Sequence, residues 1–174
     1  MPSPLVRRAL PEDASALVDL VNRIARTDET LGIDRFPLSA ADEAEFLRRA
    51  EPTVYLTLLA DDQGRPPLGV LTASRGTDEK LRHVSALAIA VAPEARRRGI
   101  ASALLAAFFD WAGEVGVEKC TLSVLATNAP AIGLFQKAGF TGEARRMGQF
   151  RIGGALVDEI LMSRWLRARV GAHA

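Results

Sequence analysis

The chain has 174 residues, enough for one domain with a real core. Its apolar share of 48% and charged share of 25% are those of a globular protein, and a formal net charge of +1 argues against a dedicated nucleic-acid binder. Cys120 is the single cysteine, which excludes an intrachain disulfide.

The first eight residues lack the apolar core of a secretory signal. The longest nearly apolar run, residues 100–112, is interrupted by Ser102 and Asp110 and is too short to cross a bilayer. One cytoplasmic domain over residues 1–174 is the expectation, with neither membrane nor nucleic acid as partner.

In chain order, residues 5–10 read as a first strand. Pro11-Glu12-Asp13 then opens a helical pattern carried by Leu17, Leu20, Val21 and Ile24. Residues 27–37 mix polar and breaker types and read as a loop. Ser39 is an N-cap, with Asp42 and Glu43 as first-turn acids of a second helix running through Phe46 and Leu47. Residues 53–60 and 68–73 read as strands of a hairpin, joined by a turn at residues 61–64. Residues 82–91 are almost continuously apolar after Ser85, as a central strand requires, and Pro93 stops it.

From Arg98 the period changes. Ile100, Leu104, Phe108 and Trp111 share one helical face as core residues, and Gly113 and Gly116 mark its end. Residues 119–125 alternate as a strand, and residues 128–138 form a short helix stopped by Gly139. Strands at 143–151 and 155–163 flank a Gly153-Gly154 turn. The fold class is therefore α/β, with a mixed, mostly antiparallel sheet of about seven strands flanked by about four helices.

Residues 87–102 carry the strongest chemical signal. A buried strand ends, a short arginine-rich loop follows, and an apolar helix starts at Gly99. Main-chain N–H groups in a first helical turn lack intrahelical partners and sit at the positive end of the helix dipole. Gly99 permits close approach of an anion and Ala101 leaves it uncrowded. These residues alone imply an anion site suited to a diphosphate; a solvated basic loop before a core helix is the plainer alternative. Neither a P-loop nor a Rossmann fingerprint is present.

Arg96-x-x-Gly99-x-Ala101, after Val91-x-Pro93-Glu94, resembles the Gln/Arg-x-x-Gly-x-Gly/Ala signature of the GNAT acetyltransferases. Downstream, Asn128-x-x-Ala131-x-x-Leu134-Phe135-x-Lys137-x-Gly139-Phe140 resembles that family's second acetyl-CoA segment. The two lie in the right order, and the resemblance covers about residues 68–162, closest to small bacterial amino-acid and phosphinothricin-type acetyltransferases. It implies acetyl-CoA as co-substrate, with no metal. Ile89, Ala90 and Val91 would pair with the pantetheine arm, and their amides would stabilise the oxyanion. Arg97, Arg98, Gly99, Ile100, Ala101 and Ser102, with Arg96 leading the motif, would bind the pyrophosphate. Asn128 would touch the pantetheine or adenosine side, or act as a plain helix N-cap.

The resemblance implies direct transfer to a primary amine of a small molecule or peptide within a ternary complex. Phe135 stands where many members carry a tyrosine that protonates the departing thiolate, and it would pack along the cofactor or in the core. Candidate bases are His83 and Glu159, with Asp158, Glu29 and Glu143 behind them; of Asp158 and Glu159, on opposite strand faces, one should meet solvent or an arginine. Cys120 reads as a small buried hydrophobe, and Arg145, Arg146 and Arg151 as a solvated hairpin face. The acceptor pocket should be built from the 27–37 loop, the two N-terminal helices and the final hairpin. A non-catalytic acyl-CoA-binding sensor is the alternative function, and a homodimer through an outer strand or the Trp165 region is compatible with the pattern.

Overall fold

In the computed structural model, which describes residues 5–27, 30–61 and 66–166, one sheet of seven strands runs through the molecule in the order β1-β2-β3-β4-β5-β7-β6. The strands are β1 (Leu5–Arg8), β2 (Tyr55–Asp61), β3 (Gly69–Arg75), β4 (Val84–Val91), β5 (Lys119–Leu125), β6 (Thr141–Ile152) and β7 (Ala155–Trp165). The helices are α1 (Ala14–Thr27), α2 (Ala40–Arg49), α3 (Ile100–Glu114) and α4 (Ala129–Lys137). Neighbouring strands are antiparallel except β4 and β5, which are parallel. The expected element order and sheet class are both borne out.

Local chemistry explains the boundaries. Asp13 accepts from the Leu10 amide at 2.7 Å and takes two Arg7 hydrogen bonds, at 2.7 and 2.9 Å, turning the chain from β1 into α1. β1 consequently ends at Arg8, short of the expected Leu10. Ser39 caps α2 by accepting from the Asp42 amide at 3.1 Å. β4 begins at Val84, two residues later than the apolar run implies, because Arg82 and His83 lie in a turn closed by the Val84 amide on the Leu81 carbonyl. Gly153 and Gly154 take φ of 55° and 85°, the left-handed pair that a tight hairpin between β6 and β7 needs. The expected 68–73 strand appears as β3, Gly69–Arg75, and pairs antiparallel with β2 as a hairpin should, although residues 62–65 of its turn lie outside the described residues.

Two faces of the sheet take different partners. A Cβ at Gly69 would stand 2.9 Å from Ile100 and 3.2 Å from Leu104, so this side of β3 faces α3. Register and the two-residue period then carry Leu71 and Ala73 of β3, and Leu87 and Ile89 of β4, to the same side. There they meet Ile100, Leu104, Phe108 and Trp111, each at most 3% exposed. Trp111 donates its indole N–H to the Pro52 carbonyl at 2.9 Å, and it and Phe108 are core residues as expected. The opposite face of β3 and β4 lies towards α1 and α2, where Val21, Phe46 and Glu43 approach Val70 and Thr72.

Candidate active site

The sheet opens at its parallel seam. β4 and β5 share only three register pairs, Val84 with Lys119, Ser85 with Cys120 and Ala86 with Thr121. Beyond them β5 continues alongside β7 through Leu125, while β4 continues alongside β3 through Val91. Residues 87–91 therefore present strand backbone without a strand partner on the β5 side. A splayed edge of this kind can accept another extended chain through main-chain hydrogen bonds.

The open edge leads directly into the arginine-rich turn and α3. Arg97 adopts φ of 61°, in the left-handed region, and Gly99 follows with φ of 79° as the N-cap of α3. With no capping side chain at Gly99, the first-turn amides of α3 point outward unclaimed by a cap. Nothing lies within 4 Å of where a Gly99 Cβ would stand, so this glycine serves backbone conformation and leaves the approach clear. Arg96 bends back, donating its Nε–H to the Val91 carbonyl at 3.2 Å. Glu94 is tied to Arg23 of α1 at 2.6 Å, an ion pair that holds its carboxyl below the ordinary range. Arg97 and Arg98 are exposed and carry no ion pair or hydrogen bond among the described residues. Ala101 is partly buried and Ser102 exposed beside them. An anion reaching this corner would meet main-chain donors, a helix dipole and two uncommitted guanidinium groups.

On the α1–α2 side of the same edge lies a cavity of about 510 Å³. Its floor follows from β4's sequence. Ala86, Ala88 and Ala90 alternate with the bulky residues that face α3, so one side of the strand carries only methyl groups. Thr72 and Val70 of β3 and Thr57 of β2 extend the floor. Val21, Leu31, Phe36 and Phe46 form apolar walls, and Tyr55 closes one end with its ring edge-on to Phe46 at 5.2 Å. The 30–37 loop and both N-terminal helices contribute to its lining. The final hairpin supports this wall without lining it: Phe150 of β6 packs where a Cβ on Gly32 would fall, 2.9 Å away.

Glu43 is the surprise in this cavity. The sequence marks it only as a first-turn acid of α2, yet it is 2% exposed and lines the cavity. Its carboxyl has no hydrogen bond or ion pair among the described residues, and burial raises its pKa above the ordinary carboxyl value. The sequence held a signal for this placement: Ala40, Glu43 and Leu47 fall on one helical stripe, with Phe46 beside it.

A second cavity, about 370 Å³, spans the seam from Ala86 and Leu87 to Thr121, Ser123 and Leu161. Glu159 lines it, 6% exposed, and accepts from Arg146 at 2.8 Å. Glu143 lines it too and pairs with Lys119 at 2.6 Å. Asp158 points the other way and still meets an arginine, Arg145 at 2.7 Å; it also accepts from the Gly148 amide, and these bonds hold its carboxyl below the ordinary range. Both acids of the pair thus face arginines, where only one was expected to. His83 reaches neither cavity. Its ring stacks on Trp165, centroids 6.4 Å apart, and at about 3.3 Å per strand residue it lies roughly 16 Å along the chain from Ala88. Glu29 lies outside the described residues.

The remaining candidates resolve simply. Asn128 caps α4, accepting from the Ala131 amide at 3.2 Å, while its Nδ2 donates to the Thr30 carbonyl at 3.4 Å. Phe135 is 4% exposed and packs edge-on against Phe140 at 5.8 Å; of the two roles weighed for it, core packing is the one the geometry displays. Cys120 is fully buried, and burial pushes its thiol up to about 12, so it behaves as a small hydrophobe. Arg145, Arg146 and Arg151 are exposed on the hairpin, with Arg151 donating to the Gly154 carbonyl at 3.0 Å. Among the described residues no cluster of metal-ligating side chains occurs, and no helix is long and apolar enough to cross a membrane.

A strand splayed from its parallel neighbour, running into a glycine-started helix, is the arrangement of one large acyltransferase class. The sequence model of the Acetyltransferase (GNAT) family matches residues 17–140, and the chain belongs to that family of acetyltransferases. The fold is similar to that of a GNAT acetyltransferase from Streptococcus pneumoniae, at 27% identity and a TM-score of 0.86, covering 94% of this chain and 99% of that one. A ribosomal-protein-alanine N-acetyltransferase from Brucella melitensis matches at 24% identity and a TM-score of 0.81, covering 93% and 99%. A phosphinothricin acetyltransferase from Sinorhizobium meliloti, solved with acetyl-CoA, matches at 20% identity and a TM-score of 0.83, covering 95% and 89%.

Proposed function

We propose that this protein moves an acetyl group from acetyl-CoA to the primary amine of a small molecule or peptide, by direct attack within a ternary complex. One observation carries the reading: the unpartnered edge of β4 joins the open N-terminus of α3 at one end and borders the 510 Å³ cavity along its alanine face. A donor with a long, amide-bearing arm and a diphosphate fits the first two features, and an acceptor fits the third. Main-chain N–H groups of residues 97–102 bind the diphosphate, helped by Arg97 and Arg98. Residues 89–91 hold the pantetheine arm, and an amide there polarises the thioester carbonyl and stabilises the oxyanion.

The neutral amine attacks that carbonyl, forming the N–C bond. The C–S bond breaks with its electron pair on sulfur, and the amine's surplus proton leaves to solvent or a carboxylate. Glu159 already accepts from Arg146 at 2.8 Å, so its carboxylate is engaged before any amine arrives. The thiolate departs without a dedicated acid, consistent with Phe135 lying in the core.

Calorimetric titration of acetyl-CoA into the wild type, Gly99→Ala and Gly99→Glu tests the donor site. Gly99→Ala has room for its methyl and pays only about 1 kcal/mol for its left-handed φ, so it should still bind. Gly99→Glu sets a negative charge at the diphosphate position and should abolish binding; retained affinity there would refute the cradle. Binding by the wild type without turnover of any amine would favour the non-catalytic module instead.

A further inference from the structure

The acceptor cavity has a composition that the transfer reaction alone does not require. Its described lining is aliphatic and aromatic apart from threonine and serine hydroxyls, the Tyr55 hydroxyl and one carboxyl, and no arginine, lysine or histidine borders it. That carboxyl, Glu43, is 2% exposed and has no partner among the described residues. An acid buried without a cation costs stability, and it persists only where something else uses it. Among the described residues the other two buried acids each meet an arginine, Glu159 with Arg146 and Asp61 with Arg7 through one carboxylate oxygen. Of the buried acids among the described residues, Glu43 is the one without a cation, and it faces the apolar space floored by the β4 alanines.

Resting on the proposed transfer to a primary amine, we infer that Glu43 is the counter-ion for the acceptor's ammonium group, and that the acceptor is an amine with an apolar body and no carboxylate beside the nitrogen. The ammonium enters paired with Glu43 and gives up one proton to the Glu43 carboxylate before it attacks as the neutral amine, while the hydrocarbon replaces water against Leu31, Phe36 and Phe46. A free amino acid fits poorly. Its carboxylate would be desolvated in the same cavity as Glu43, with no cation among the lining residues to receive it. The raised pKa of Glu43 agrees with this role, because a charge that is costly alone gains most from an incoming cation. Two sources supply the chemistry: a free alkyl- or arylalkylamine, and the N-terminal residue of a peptide, whose carboxyl is tied up as an amide.

Initial rates of coenzyme A release with matched acceptors test the inference. Pentylamine and 2-phenylethylamine are set against 2-aminohexanoic acid and phenylalanine, which differ from them only by the α-carboxylate. Phenylalaninamide represents a peptide N-terminus. Expected is a kcat/KM preference for the carboxylate-free partner of at least about a hundredfold, or 2.7 kcal/mol. If phenylalaninamide outpaces 2-phenylethylamine, the source is a peptide; the reverse order makes it a free amine. Glu43→Gln should raise the KM of the preferred amine at least about tenfold, and Glu43→Asp should restore part of it, both with the acetyl-CoA affinity of the wild type. Failure of the wild type to bind acetyl-CoA would sink the donor-site reading. Intact acetyl-CoA binding with equal or better use of the amino acids, no use of any amine tested, or an unmoved KM in a folded Glu43→Gln would overturn the inference alone.

Discussion

The two faces of β4 do different work. Towards α3 the strand presents the buried Leu87 and the partly buried Ile89, packed on helix residues that are at most 3% exposed. Towards α1 and α2 it presents Ala86, Ala88 and Ala90, and a cavity stands over them. One strand thus anchors the core with one set of side chains and vacates a binding space with the other. The division shows how a rigid element can border an open site without loosening: the stiffness comes from the side chains packed against α3.

Changes on either side should separate stability from function. The largest expected effect is on the packed face, where Leu87→Ala removes a side chain 6% exposed and should lower unfolding free energy by about 3 kcal/mol in a urea titration. On the open face, Ala88→Leu should leave stability within about 1 kcal/mol of the wild type, while raising the acceptor KM by at least about tenfold as the isobutyl group enters the cavity. A Leu87→Ala variant as stable as the wild type, or an Ala88→Leu variant that unfolds, would break the comparison.

The smallest effect sharpens it by pH. Glu43 has a raised pKa in the folded state, so its contribution is most favourable below its ordinary value of 4.5 and is lost as pH rises through the raised one. Glu43→Gln removes that loss. Its thermal stability should match the wild type near pH 4 and exceed it at pH 8 by about 1 kcal/mol, a Tm gain of roughly 2–4 °C. Of the groups lining the cavity, Tyr55 is the other titratable one. A Glu43→Gln variant less stable than the wild type at pH 8 would mean that the acid is held by a favourable contact.

Much of this was legible in the residues. The order of elements, the seam between β4 and the glycine-started α3, and the core role of Phe108 and Trp111 all follow from period, caps and breakers. Ser39 announced α2, but an N-cap says where a helix starts and leaves open which way its acids turn. Asp42 and Glu43 are neighbours in sequence, and the helical rotation between them sends Asp42 to the surface and Glu43 into the cavity. The start of β4 was misplaced for a related reason: a continuous apolar run does not reveal its first hydrogen-bonded residue, and the turn closing on Val84 takes Arg82 and His83 out of the strand. The pairings of Glu159 and Asp158 with successive arginines depend on the β6–β7 register, which shifts twice between Gly142 and Phe150 and leaves no trace in composition.

The three-pair seam between β4 and β5 also decides what the single cysteine can report. Cys120 sits at its middle, opposite Ser85, fully buried and with its thiol held up to about 12. At neutral pH it is protonated and shielded while the seam is closed. An alkylating reagent therefore reaches it only in molecules where the core packing over this part of the sheet has opened. The native chain carries its own clock for that opening, with no label to engineer and no second thiol to confuse the count.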